Sequence, residues 1–140
     1  MTGGGFALER LHTITEEVIM AMKRFLVTYL AQASVIGAWK KTPAESRKVA
    51  EANMQNLWKS WMSNHHNIFV DKGAGVGKTR RVTAQGSADG KNDILLYSIV
   101  EAQTHEAAAK MFEDHPHLTI PSSSIEVMEI HPLPGMKESQ

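Results

Sequence analysis

The sequence predicts an α+β fold, with four strands in one antiparallel sheet and two helices on one of its faces, and three stretches carry that reading. The run Asp93-Ile94-Leu95-Leu96-Tyr97-Ser98-Ile99-Val100 is strand-like with apolar bulk on both faces, and it feeds an alanine-rich helical segment. Lys23 to Ala31 has the same two-sided character, with Phe25, Val27 and Tyr29 on one face and Leu26, Thr28 and Leu30 on the other. Between them, Thr42-Pro43-Ala44-Glu45 opens a helix: threonine as cap, proline at the first helical position and a glutamate in the first turn.

The remaining elements follow in order. Residues 1–21 begin with a flexible glycine run and continue with Leu8, Leu11 and Val18 at roughly helical spacing, a flexible or helical N-terminal arm. After the first strand, residues 32–41 hold Val35, Ile36 and Trp39, too apolar for a solvated loop, and are expected to fold back as a short helix, a candidate lid. On the first long helix Ala50, Met54, Leu57, Trp58 and Trp61 form one apolar stripe that should pack on the sheet. The helix should end near Ser63-Asn64-His65-His66-Asn67, whose polar groups suit free carbonyls. Ile68-Phe69-Val70 begins the second strand, which the glycines at 73, 75 and 77 break and which resumes at Thr79-Arg80-Arg81-Val82-Thr83. The Asp89-Gly90 pair predicts the hairpin turn before the strand Asp93 to Glu101. Thr104 caps a second helix with Ala108, Met111 and Phe112 inward, Pro116 stops it, and Ile125 to Ile130 is the last strand. The order β-α-β-β-α-β is that of the ferredoxin-like arrangement, the split βαβ. Its second sheet face would be bare and apolar, so a homodimer with two sheets packed face to face is expected.

Composition limits the function. At 140 residues the chain is one domain by size, here residues 22–132 with a polar tail over 133–140. Fifteen Lys and Arg balance fifteen Asp and Glu, so there is no global basic field to hold nucleic acid or an anionic membrane. Without cysteine there is no disulfide, no thiolate chemistry and no cysteine-ligated zinc, which fits a cytoplasmic protein. No apolar run is long enough to span a bilayer.

Several segments together resemble the YCII-related family, including its DGPF-like branch, of the dimeric α/β-barrel superfamily. They are Met22-Lys23-Arg24-Phe25-Leu26-Val27, Trp58-x-x-Trp61-Met62, Phe69-Val70-Asp71-x-Gly73, Ile99-Val100-Glu101-Ala102, Thr104-x-Glu106-Ala107-Ala108 and Ile125-Glu126-Val127, spread over residues 22–132. The resemblance implies a small barrel dimer with a pocket between sheet and helices. Some members carry a His-Asp pair proposed as catalytic. Here the position of that histidine falls near Gln55, and the helix has no histidine before His65, so the pair does not carry over. Of the Asp-Gly-Pro-Phe signature only Asp89-Gly90 stands, followed by Lys91-Asn92.

The loudest motif is Lys72-Gly73-Ala74-Gly75-Val76-Gly77-Lys78-Thr79, one glycine short of a phosphate loop. A phosphate loop must open into a helix whose amides hold the phosphates, whereas Arg80-Arg81-Val82-Thr83 reads as strand, so nucleotide or anion binding at Lys78-Thr79 is a minor alternative. His115 and His117 flank a proline and are the candidates for proton transfer, with His117 as acid or base and Asp71 or Tyr97 as its orienting partner. With Trp39, Trp58 and His115 as ligand-binding residues, they outline a site for a small organic molecule. Two histidines without further ligands at metal spacing make no metal site, and no cofactor motif stands in the sequence. Enzyme and non-catalytic binding or assembly module both remain open.

Overall fold

The computed structural model describes residues 22–136. The arm expected over 1–21 and the last four residues of the tail lie outside the described residues. The elements are β1 (Lys23–Leu30), α1 (Ala33–Lys40), α2 (Ala44–Asn64), a 3-10 turn (His66–Ile68), β2 (Phe69–Gly75), β3 (Thr79–Thr83), β4 (Gly86–Gly90), β5 (Ile94–Ala102), α3 (His105–Lys110), a second 3-10 turn (Pro116–Thr119) and β6 (Ser124–Glu129). Four strands form one sheet in the order β2-β5-β1-β6, every neighbour antiparallel. The α+β class is therefore the one expected, with three helices among the described residues because the apolar connector 32–41 folds as α1.

Strand alternation builds the core. Phe25, Val27 and Tyr29 on β1, with Val100 and Ala102 on β5, turn to one face and are buried there against Trp61 of α2, Ala108 of α3 and Phe112. The opposite face carries the intervening residues, paired in register as Leu26 with Ile99 and Met128, and Thr28 with Tyr97 and Glu126. Ile130 N–H donates to the Arg24 carbonyl at 3.1 Å, and counting alternate pairs from there leaves the Val127 carbonyl on the outer edge of β6. His105, at the start of α3, reaches that carbonyl with Nε2 at 2.6 Å while its ring stacks on Phe25.

Four details differ from the sequence expectation. Thr42 does not cap α2: its hydroxyl donates back to the Trp39 carbonyl at 2.6 Å, closing α1, and Pro43 takes the cap position in extended geometry. The stripe on α2 is engaged unevenly: Trp61 is buried and Ala50, Met54 and Trp58 are half-buried, while Leu57 is 52% exposed because it lies at the flank of the stripe. The Asp89-Gly90 pair is strand, not turn. The chain reverses at Ala84 and Gln85 with Gly86 at φ 122°, and β4 pairs with β3 from Thr79–Gly90 to Thr83–Gly86. Finally, α3 ends at Lys110, ahead of Pro116, which instead opens the second 3-10 turn.

Thr104 caps α3 as expected, its hydroxyl accepting from Ala107 N–H at 3.0 Å. The end of α2 is closed by His65 Nδ1 on the Trp61 carbonyl and His66 Nδ1 on the Ser63 carbonyl. Gly73, at φ 81°, sits where β2 bulges against β5. A Cβ there would stand 1.6 Å from the Tyr97 carbonyl oxygen, so no other residue fits without moving a strand. Among the described residues no helix is long and apolar enough to cross a membrane.

An imidazole and aromatic cluster as candidate site

The second 3-10 turn carries both histidines of the predicted site into the interior, each 2% exposed. Pro116 at the start of that turn sets its entry, and the turn is tied from within: Thr119 donates to the Pro116 carbonyl and Ser123 to the His117 carbonyl. His115 caps it, its Nδ1 accepting from the His117 N–H at 2.9 Å. That hydrogen bond leaves Nδ1 without a proton, so the neutral ring carries it on Nε2. The Nε2 atom is buried and has no hydrogen-bond partner.

Rings surround it. Trp58 lies edge to face with His115 at 4.3 Å and Trp61 at 4.4 Å, with Tyr29 at 5.2 Å and Phe112 at 6.0 Å. The cluster is anchored at its margins, for Trp61 Nε1 donates to Asp114 Oδ1 at 3.3 Å and the Tyr29 hydroxyl shares a 3.0 Å hydrogen bond with Ser98. Burial pushes the His115 imidazole down from 6.5 to about 4, helped by His117 and opposed by Asp114. Its ring is therefore neutral near pH 7. Burial also raises the Tyr29 phenol, against the pull of the Ser98 hydrogen bond, so it stays protonated.

His117 has a different task. Its Nε2 lies 2.9 Å from the Leu30 carbonyl at the end of β1, and it packs edge to face with Tyr29. Burial lowers its pKa, against the backbone of Leu30 and Ser124, which favour the charged form. The ring thus bolts the turn to β1 through its Nε2.

Of the other predicted residues, Trp58 joins the cluster and three do not. Tyr97 and Asp71 belong to the opposite sheet face, since Thr28 pairs with Tyr97 and Asp71 with Ile99, so neither orients His117 within the chain. Asp71 instead accepts from the Gly73 N–H at 2.8 Å and shapes the bulge of β2. Trp39, on α1, is 36% exposed. Lys78 precedes β3 and Thr79 begins it, so the glycine-rich segment opens onto a strand. Among the described residues no group of three or more acidic or histidine side chains converges as a metal site. Tyr29, Ser98 and Trp61 were not singled out as site residues. The signal for Tyr29 was its shared strand face with Phe25 and Val27, and for Ser98 its alternation with Val100.

Compared with known proteins, the chain matches no family model, and no curated protein matches it.

Proposed function

We propose that this chain is a homodimeric protein of the ferredoxin-like, YCII-related kind that binds a small, flat, neutral organic molecule at the cluster around His115. One observation carries the binding reading: a buried imidazole N–H, on a ring held neutral, without an acceptor and walled by Trp58, Trp61, Tyr29 and Phe112. A buried polar group left unpaired costs about 1–3 kcal/mol, which a ligand carbonyl or ether oxygen would recover. Trp58 is the partly exposed member of the cluster, with its ring edge to face with His115 at 4.3 Å, so a ligand reaches the imidazole by displacing it. The reading is binding rather than proton transfer, since His115 and His117 are both buried and His117 is spent tying the turn to the Leu30 carbonyl. Strand order and direction favour the ferredoxin-like arrangement. The half-buried apolar residues Leu26, Leu95, Tyr97 and Ile99 on the face opposite the core favour the dimer.

A thermal-shift screen with aromatic lactones, ketones and amides tests it, read together with tryptophan fluorescence. At a hundredfold over its dissociation constant a ligand adds about 2.7 kcal/mol and moves the midpoint by several degrees. His115→Asn keeps an acceptor for the His117 N–H and removes the imidazole N–H, so it should abolish the shift while the fold persists. A panel without any shift, or shifts that survive His115→Asn, would remove the proposal.

A further inference from the structure

The sheet face opposite the core carries one polar row. Thr28, in the middle of β1, pairs across with Tyr97 of β5 on one side and with Glu126 of β6 on the other. Directly opposed residues hold their Cβ atoms about 5 Å apart, so the three side chains stand abreast on one face. The next row along is apolar, with Leu26 between Ile99 and Met128. Thr28 is the shortest of the three and the deepest, 5% exposed, while Tyr97 is half-buried and Glu126 exposed. Its Oγ1 is buried without a hydrogen-bond partner, where a polar atom in a central strand is expected to have one. The fold does not call for a hydroxyl there, since valine has the same shape and suits a strand equally well.

The row carries a negative charge that nothing nearby balances. Among the described residues the recorded ion pairs leave Glu126 out. Arg24, on the same face, stands opposite Glu101 and lies four residues, about 13 Å, along β1 from Thr28. A carboxylate, a hydroxyl oxygen and the face of a phenol ring all attract the same partner. An ammonium group donates N–H to the first two and meets the third as a cation on a ring.

We propose that the row Tyr97–Thr28–Glu126 binds a small organic cation, a primary ammonium on a short hydrocarbon body. The ammonium donates to Thr28 Oγ1 and to the Glu126 carboxylate, and the hydrocarbon lies over Leu26 and Ile99. Glu126, the exposed member, is the one that swings aside to admit it. A divalent metal suits the row less well, because one carboxylate and two neutral oxygens are few ligands, and no three acidic or histidine side chains converge among the described residues. The site is distinct from the His115 cluster, which lies on the other side of the sheet. It shares its face with the proposed dimer seam, and in a dimer the ligand would be enclosed between the copies. All three groups nevertheless belong to one chain, so the site does not require the second copy.

Calorimetric titration of the full chain with n-butylammonium and 2-phenylethylammonium chloride tests it, against 1-butanol, 2-phenylethanol and sodium chloride at matched ionic strength. The ammonium salts should bind, and the alcohols and sodium should not. Thr28→Val and Glu126→Gln keep the side-chain shapes, and each should weaken binding by about tenfold or more. His115→Asn should leave it unchanged. Without ammonium, Thr28→Val should unfold at a higher urea concentration than the native chain, since it removes a buried hydroxyl with no partner. Ammonium salts that do not bind, alcohols that bind as well, or binding that survives both Thr28→Val and Glu126→Gln would overturn the site. A Thr28→Val chain less stable than the native one would overturn it too, for the hydroxyl would then have a partner. Sedimentation velocity on the same samples separates the site from the dimer. A monomer that binds ammonium through Thr28 and Glu126 removes the dimer and keeps the site, whereas a dimer to which no ammonium binds keeps the dimer and removes the site.

Discussion

His115 and His117 are two residues apart, equally buried and oppositely employed. His117 has its Nε2 on a backbone carbonyl, whereas His115 keeps an N–H with nothing to receive it. Acid should act on both. The unfolded chain takes up a proton near pH 6.5 that buried His115 refuses until about pH 4. Stability is therefore full above pH 6.5 and falls as the pH drops through that window, by about 3 kcal/mol at most for this group. His117, lowered by the same cause, falls off in the same direction. Urea midpoints measured from pH 7.5 to 4 should show the decline, and His115→Asn should lessen it, leaving the part due to His117; a variant with the native slope would assign the acid sensitivity elsewhere.

At the scale of elements, α2 is an unevenly engaged helix. Trp61 sits in the core against Phe112 and Phe69, while Leu57 on the same stripe stands out in solvent. Trp61→Ala should cost about 3–5 kcal/mol and Leu57→Ala no more than about 0.5, compared by chemical denaturation. Periodicity alone ranks the two alike. What the sequence made legible was every strand of the main sheet and the face that Phe25, Val27 and Tyr29 share, because alternation is a local property. It did not reveal β4. Gly86-Ser87-Ala88-Asp89-Gly90 has no strand formers, and it is extended because β3 runs opposite and Arg80 bonds Asp89 and Ser87 across the ribbon. The Thr42 misreading has a similar origin: one hydroxyl lay between two helices, and the carbonyl of the earlier helix took it.

For the whole molecule, the layers decide which side chains meet. His115, Trp58 and His117, grouped together from the sequence, do lie in one cluster because one turn and one helix end carry them, and the turn and helix signals are local. That Tyr97 and Asp71 belong to the other side of the sheet depends on register, which no short segment encodes. That other side should be the dimer seam. Light scattering is expected to give twice the chain mass for the native protein and a monomer for Ile99→Lys, which puts a charge beside Leu26 in its middle; a dimeric variant would move the seam elsewhere. The two flanks of the sheet are guarded differently. β2 is bent by its bulge at Gly73, and β6 offers an outward carbonyl at Val127 that His105 already occupies. A strand arriving from another molecule must therefore displace the His105 imidazole before it can pair at the middle of β6, which makes growth of the sheet by addition, the route to filaments, costlier at that edge.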